Sequence, residues 1–208
     1  GGILADDMGL GKTLQVLAVL DAVHRENASE ITELSKSPQA QPDTNVMQVP
    51  GEGAVPVTSL VICPASLVYN WLEETRRFAP SLHAVAVTGT AAARAGIIHR
   101  VSGSLKQGEP AGEERIDLLI TSYDLLKRDI ALYEGIRFRF EILDEAQYIK
   151  THTTAAAKSV KLVQAVTRFA LTGTPIENRL SELWSIFDFL MPGFLYAYDS
   201  FRSGMEMP

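Results

Sequence analysis

Gly1-Gly-Ile-Leu-Ala-Asp-Asp-Met-Gly-Leu-Gly-Lys-Thr13 sets a short apolar run against a glycine-bearing loop that ends in a lysine and a hydroxyl. The apolar part, Ile3 to Ala5, reads as a strand running into the loop, and the residues from Lys12 onward read as a helix. A glycine-rich turn between a strand and a helix leaves backbone N–H groups pointing at one spot, where the helix dipole also favours negative charge. Met8, Gly9, Leu10, Gly11, Lys12, Thr13 and Leu14 are therefore the candidate residues for wrapping nucleotide phosphates. Lys12 supplies a positive charge to the outer phosphates, and the Thr13 hydroxyl is placed to serve Mg²⁺. The strict pattern G-x-x-x-x-G-K-[ST] is not met, because Asp6 stands where its first glycine belongs. On the bland reading, the stretch is a loop that merely enters an ordinary helix.

The rest of the composition fits one large domain or two small ones. The chain has 208 residues, 46% of them hydrophobic and 21% charged, enough for a sizeable core. Lys and Arg number 19 against 25 Asp and Glu, a net charge of −6, which argues against a surface that attracts nucleic acid everywhere. Any such contact must be local. Cys63 is the single cysteine and excludes an internal disulfide framework. No apolar run reaches the roughly 18 to 20 residues of a membrane span, so no membrane partner is expected and the setting is expected to be cytoplasmic. With no initiator Met and a strand already under way at Ile3, the chain is expected to be a piece cut just upstream of its phosphate loop.

Along the chain, strand and helix patterns alternate. Lys12 to about His24 is apolar on nearly every side, as a helix packed on a sheet would be. Glu26 to Val57 carries Pro38, Pro42, Pro50 and Pro56 and no aromatic residue, and reads as a mobile insertion. Leu60 to Cys63 is a short buried strand. Ser66 is placed to cap a helix that shows Val68, Trp71, Leu72, Thr75 and Phe78 on one face and stops at Pro80. His83 to Val87 is a further strand, and about Ser102 to Arg115 a second polar insertion. Leu118 to Thr121 and Phe140 to Leu143 read as strands, Ala155 to Val166 as a helix, Phe169 to Thr172 as a strand and Ser181 to Leu190 as a helix. Such alternation with apolar strands predicts an α/β fold whose mostly parallel sheet is covered by helices on both faces.

A second chemical signal is Glu141-Ile-Leu-Asp-Glu-Ala-Gln-Tyr148. An apolar strand that ends in adjacent carboxylates sets them at the carboxyl edge of the sheet, where α/β folds bind ligands. Asp144 is placed to hold Mg²⁺ and Glu145 to orient and deprotonate an attacking water. The bland reading is a strand that ends in an acidic helix start. Glu141 is a charge within a strand that should be buried, with no partner evident in the sequence.

The order of these motifs carries a resemblance. Ala5-Asp-Asp-Met-Gly-Leu-Gly-Lys-Thr13 comes first, then Val61-Ile-Cys-Pro-Ala-Ser-Leu67 with Trp71, then Ile120-Thr-Ser-Tyr-Asp124. Asp144-Glu-Ala-Gln147 follows, and Leu171-Thr-Gly-Thr-Pro-Ile-Glu-Asn178 with Leu183-Trp184 closes the series. Together they resemble the first RecA-like lobe, a three-layer P-loop NTPase fold, of Swi/Snf-type ATPases, superfamily-two helicase relatives. The resemblance spans essentially the whole chain, 1–208, apart from the two insertions, and Asp6 at the loop start is unremarkable within that family. Leu67 to Glu74 and Leu183 to Leu190 look like the bacterial branch, which would place the protein in a bacterial cytoplasm, on the nucleoid when bound to DNA.

The resemblance implies an ATP- and Mg²⁺-dependent motor that tracks along double-stranded DNA without separating the strands, and that remodels or displaces proteins bound there. By position, Lys12, Asp144 and Glu145 match the catalytic set. Gln147 and the Thr172-Gly173-Thr174 turn match elements that couple the nucleotide site to DNA. Ser66 with Thr121, Ser122 and Tyr123 match positions that touch the DNA backbone. It also implies two parts not contained in these residues: a segment upstream of the loop with an adenine-reading glutamine, and a second RecA-like lobe in the same full-length chain whose arginines complete the ATP site. Bland readings stand beside these. Thr174-Pro-Ile-Glu177 is a capping box able to do no more than start a helix; Thr121 to Tyr123 reads equally as a strand exit; Trp71 and Trp184 read as core. The histidines show no metal-ligand spacing. An unwinding helicase of the same superfamily, or a non-catalytic nucleotide-binding module, stays open as an alternative.

Overall fold

Residues whose side chains alternate between two apolar layers form the sheet of this computed structural model, which describes residues 1–7, 9–36, 57–106, 115–174 and 180–206. The strands are β1 (Gly2–Ala5), β2 (Ser59–Cys63), β3 (Ala84–Ala86), β4 (Leu118–Ser122), β5 (Arg137–Leu143) and β6 (Gln164–Thr172). They pair in the order β1-β6-β5-β2-β4-β3, every pair parallel. The main helices are α1 (Lys12–Lys36), α2 (Val68–Phe78), α3 (Ala91–Lys106), α4 (Tyr123–Asp129), α5 (Ala155–Leu162) and α6 (Leu180–Leu190). A short α7 (Tyr198–Phe201) continues into a wider turn over Arg202–Glu206.

Because successive strand side chains point to opposite faces, β2 feeds both layers. Val61 and Cys63 pack with Leu17 and Leu20 of α1 and Trp71 and Leu72 of α2, while Leu60 and Ile62 pack with Ile98 of α3, Leu126 of α4, Val160 of α5 and Phe189 of α6. The expected α/β fold with a parallel sheet covered on both faces is thus the observed one. β1 is a half-exposed edge strand.

Several boundaries differ from the sequence reading. Helix α1 runs on through Glu26 to Lys36, into the expected insertion, because no proline or glycine interrupts the stretch before Pro38. Likewise α3, which the sequence reading passed over, takes the first residues of the second expected insertion; its start is capped by Thr90 Oγ1, which accepts from Ala93 N at 3.3 Å. The remainders, 37–56 and 107–114, lie outside the described residues. Helix α5 ends at Leu162 rather than at Val166, since Gln164 onward pairs with β5 from Arg137. Ser66 lies inside a 3₁₀ turn over Ala65–Leu67, and α2 begins without a side-chain cap, so Ser66 does not cap it.

Candidate nucleotide and metal site

The all-parallel order brings the carboxyl ends of β1, β6 and β5 side by side, and the loop after each carries one of the motifs. After β1, Gly9 and Gly11 adopt φ values of 86° and 74°. A side chain disfavours that left-handed backbone, whereas space is not the constraint, since a Cβ at Gly9 would meet nothing within 4 Å. Lys12 opens α1, and its Nζ donates to the Asp6 and Asp7 carbonyls at 2.7 and 3.0 Å, so the ammonium sits inside the turn of the loop. Gln15 N closes the first helical turn on Gly11 O at 3.0 Å. Thr13 is half-buried in that turn; Leu10 and Leu14 face outward, and Met8 lies outside the described residues.

After β5, Asp144 is gripped from both helical layers. Its N donates to Ile62 O of β2 at 2.8 Å, its carbonyl accepts from the Tyr123 hydroxyl at 2.8 Å, and its Oδ2 accepts from the Trp71 indole N–H at 2.8 Å. The Glu145 amide donates to Oδ1 at 3.0 Å. Burial raises the Asp144 carboxyl above its ordinary range; the Trp71 bond opposes this, the Glu145 charge adds to it and the Lys12 charge pulls back. Glu145 itself sits at φ 53°, ψ 55°, a left-handed backbone rare outside glycine, which turns its side chain away from the line of the strand.

Glu145 is then tied to the end of β6. Gln147 Nε2 donates to Glu145 Oε2 at 2.7 Å, Thr172 Oγ1 donates to Gln147 Oε1 at 3.0 Å, and Thr174 N donates to Thr172 Oγ1 at 3.1 Å. The residues matched to coupling therefore form one hydrogen-bonded line from the carboxylate, with Gly173 as the turn between the threonines. Residues 175–177 of the capping box lie outside the described residues. Hard oxygen donors, Asp144 and the Thr13 hydroxyl, beside a lysine and a nest of N–H groups, fit a magnesium ion carried in by phosphate oxygens. They do not form a preassembled cage.

The DNA-matched residues are treated unequally. Ser66 is exposed on the turn that leaves β2. The side chains of Thr121, Ser122 and Tyr123, which the resemblance matches to positions touching the DNA backbone, are all three buried. Thr121 ends inside the sheet, Ser122 Oγ accepts from Leu125 N at 3.3 Å and so caps α4, and Tyr123 reaches Asp144. Cohesion of the parallel sheet draws that strand end inward. On the surface, Tyr148 lies over the Tyr123 ring, centroids 5.0 Å apart and planes within 3°. Trp71 and Trp184 are core residues as read, but the Trp71 bond to Asp144 was not foreseen; 73 positions separate the two, and no spacing signals it. Cys63 is buried with its thiol pushed up to about 12, mainly by burial, which leaves it unreactive.

The whole chain, residues 1–208, matches the SNF2-related domain. It belongs to that family. Human TATA-binding protein-associated factor 172 is 38% identical over 209 residues, covering 100% of this chain but 10% of the relative. An uncharacterized ATP-dependent helicase of Mycoplasma pneumoniae is 36% identical over 207 residues, covering 99% of this chain and 16% of the relative. Among solved structures, the Sulfolobus solfataricus SWI2/SNF2 ATPase core in complex with double-stranded DNA is 35% identical with a TM-score of 0.69, covering 97% of this chain and 33% of that one. The chain thus spans about a tenth to a sixth of these curated relatives. Human and bacterial relatives differ by only two percentage points in identity, so the likeness does not single out a bacterial branch of the SNF2-related family.

Proposed function

We propose that this SNF2-related domain is the ATP-binding and hydrolysing lobe of a motor that moves on double-stranded DNA. The observation that carries the reading is the convergence of the Lys12 loop, Asp144 and the Glu145-Gln147-Thr172 line at the carboxyl ends of three adjacent strands. In this reading the loop N–H groups and Lys12 bind the phosphates, and Thr13 and Asp144 hold Mg²⁺. Held by Thr13 and Asp144, Mg²⁺ would supply charge neutralisation to the transferring phosphoryl group. Glu145 holds the attacking water and accepts its proton, while Gln147 fixes the Glu145 carboxylate in position. The line from Gln147 through Thr172 to the Thr174 amide gives a route by which the end of β6 senses the base.

Support for duplex DNA comes from the exposed Ser66 hydroxyl, suited to backbone contact without sequence preference, and from the Sulfolobus core, solved with double-stranded DNA. The TATA-binding protein-associated relatives support a DNA-bound protein as the object being moved. A second RecA-like lobe, supplying the arginines that complete the site, belongs to the same proposal, as does a cytoplasmic setting in a bacterial cell. The test is the ATP hydrolysis rate of the whole protein with duplex DNA, single-stranded DNA and RNA at rising salt. Stimulation by duplex DNA that weakens with salt is expected. Stimulation by RNA alone would put an RNA helicase in its place, and nucleotide binding without turnover a non-catalytic module.

A further inference from the structure

Trp71 fills the layer between α2 and the sheet with 2% of its surface exposed, packed among Leu17, Val68 and Leu72. Filling that space requires a large apolar ring but no hydrogen-bond donor. A buried indole brings an N–H that must find an acceptor, and here the acceptor is Oδ2 of Asp144. Trp184, the other buried tryptophan, sends its N–H at 3.3 Å to a backbone carbonyl, that of Tyr196. The Trp71 bond differs because its acceptor is an acid at the carboxyl edge, itself 8% exposed.

The two N–H donors approach the carboxylate from different sides. Glu145 N takes Oδ1 and Trp71 Nε1 takes Oδ2, so rotation of the carboxylate plane would break one bond or both. Both donors are neutral. They favour the ionised carboxylate without cancelling its charge, so the negative charge stays available to an incoming cation, aimed in one direction. Trp71 also lies on the helix that follows the turn carrying the exposed Ser66, so a shift of that turn would reach Asp144 through the indole.

We propose that Trp71 is a positioning residue for the metal site, its indole N–H fixing the Asp144 carboxylate in the orientation that receives the Mg²⁺ of MgATP. This rests on the reading of Asp144 as metal ligand. The measurement is the gain in affinity for a non-hydrolysable ATP analogue on passing from EDTA to saturating Mg²⁺, in the whole protein. It is compared among wild type, Trp71→Phe, Trp184→Phe and Asp144→Asn. Outer-shell partners of metal ligands typically contribute about 10- to 100-fold in metal affinity. Trp71→Phe is therefore expected to lose about 10-fold or more of the Mg²⁺-dependent gain, with unchanged affinity in EDTA, and Trp184→Phe none of it. If Trp71→Phe does not fold, benzothienylalanine at position 71, which keeps the bicyclic shape and lacks the donor, carries the same expectation. A full Mg²⁺ gain in a folded Trp71 variant, with the gain lost in Asp144→Asn, overturns the role of Trp71 and leaves the metal ligand standing. A full gain in Asp144→Asn overturns the metal assignment itself.

Discussion

Glu141 within β5 and Asp144 just past its carboxyl end are both buried carboxylates, and they keep different company. Glu141, fully buried, faces Arg168 across the β5–β6 register, with Nε to Oε2 at 3.0 Å. The same guanidinium donates to the carbonyls of Val163 and Phe189, which ties the sheet to α6. Asp144 receives N–H donors from Trp71 and Glu145 instead, and the Lys12 charge acts on it without a direct ion pair. Glu141 sits against a guanidinium, whereas Asp144 is oriented by neutral donors and left short of positive charge. The contrast gives a physical criterion for telling two nearby buried acids apart.

The largest expected effect lies at the Asp144 end. Glu145→Gln should lower ATP turnover by about 10² to 10⁴ while leaving nucleotide binding in place, since general base catalysis accounts for roughly that much. Lys12→Ala should weaken binding itself. Measuring binding and turnover separately on both variants checks the division of labour, and wild-type turnover by Glu145→Gln would remove Glu145 from the role of base.

Stability should respond at the Glu141 end. Arg168→Met removes the guanidinium from the buried Glu141 carboxyl and from the carbonyls of Val163 and Phe189, and by denaturant unfolding is expected to cost well over the roughly 1 kcal/mol of an exposed pair. Replacing both partners, Glu141→Leu with Arg168→Met, should cost less than the single change. A surface-like loss below about 1 kcal/mol in Arg168→Met would break the contrast.

A further effect is expected with pH. Burial pushes the Glu141 carboxyl up to about 8 against the pull of Arg168. Between the ordinary carboxyl value and about 8, the folded chain therefore holds a proton that the unfolded chain has released. The stability tied to that proton is complete below the unfolded value and declines as pH rises through about 8. Relative to Glu141→Gln, wild type should thus be less stable at about pH 9 than at about pH 5, by the linkage relation. Parallel stability curves for the two proteins would contradict this.

The sequence revealed the parts whose chemistry is local. Gly9, Gly11, Lys12 and Thr13 are contiguous, and the end of β5 announces itself by apolar residues giving way to Asp144 and Glu145. It could not reveal pairings created by the sheet. Arg168 answers Glu141 only because β5 and β6 are neighbours in that register, and Trp71 meets Asp144 only because α2 lies over that strand end. Thr121 to Tyr123 shows the same limit from the other side. Hydroxyls after a strand look exposed in sequence, yet one caps a helix and another bonds the Asp144 carbonyl. Helix ends are hidden where a polar composition reads as a loop, as from Glu26 to Lys36.

The most direct test of the contrast between the two acids is the rise in melting temperature of the whole protein on adding MgATP, measured for wild type, Glu141→Gln and Asp144→Asn. A ligand that binds only the folded state raises its stability in proportion to its affinity. The expected result is a shift in Glu141→Gln equal to that of wild type, although its starting temperature differs, and a shift largely lost in Asp144→Asn. Equal shifts in all three proteins, or a loss confined to Glu141→Gln, would contradict the assignment of Asp144 as the acid that receives the metal-bound nucleotide.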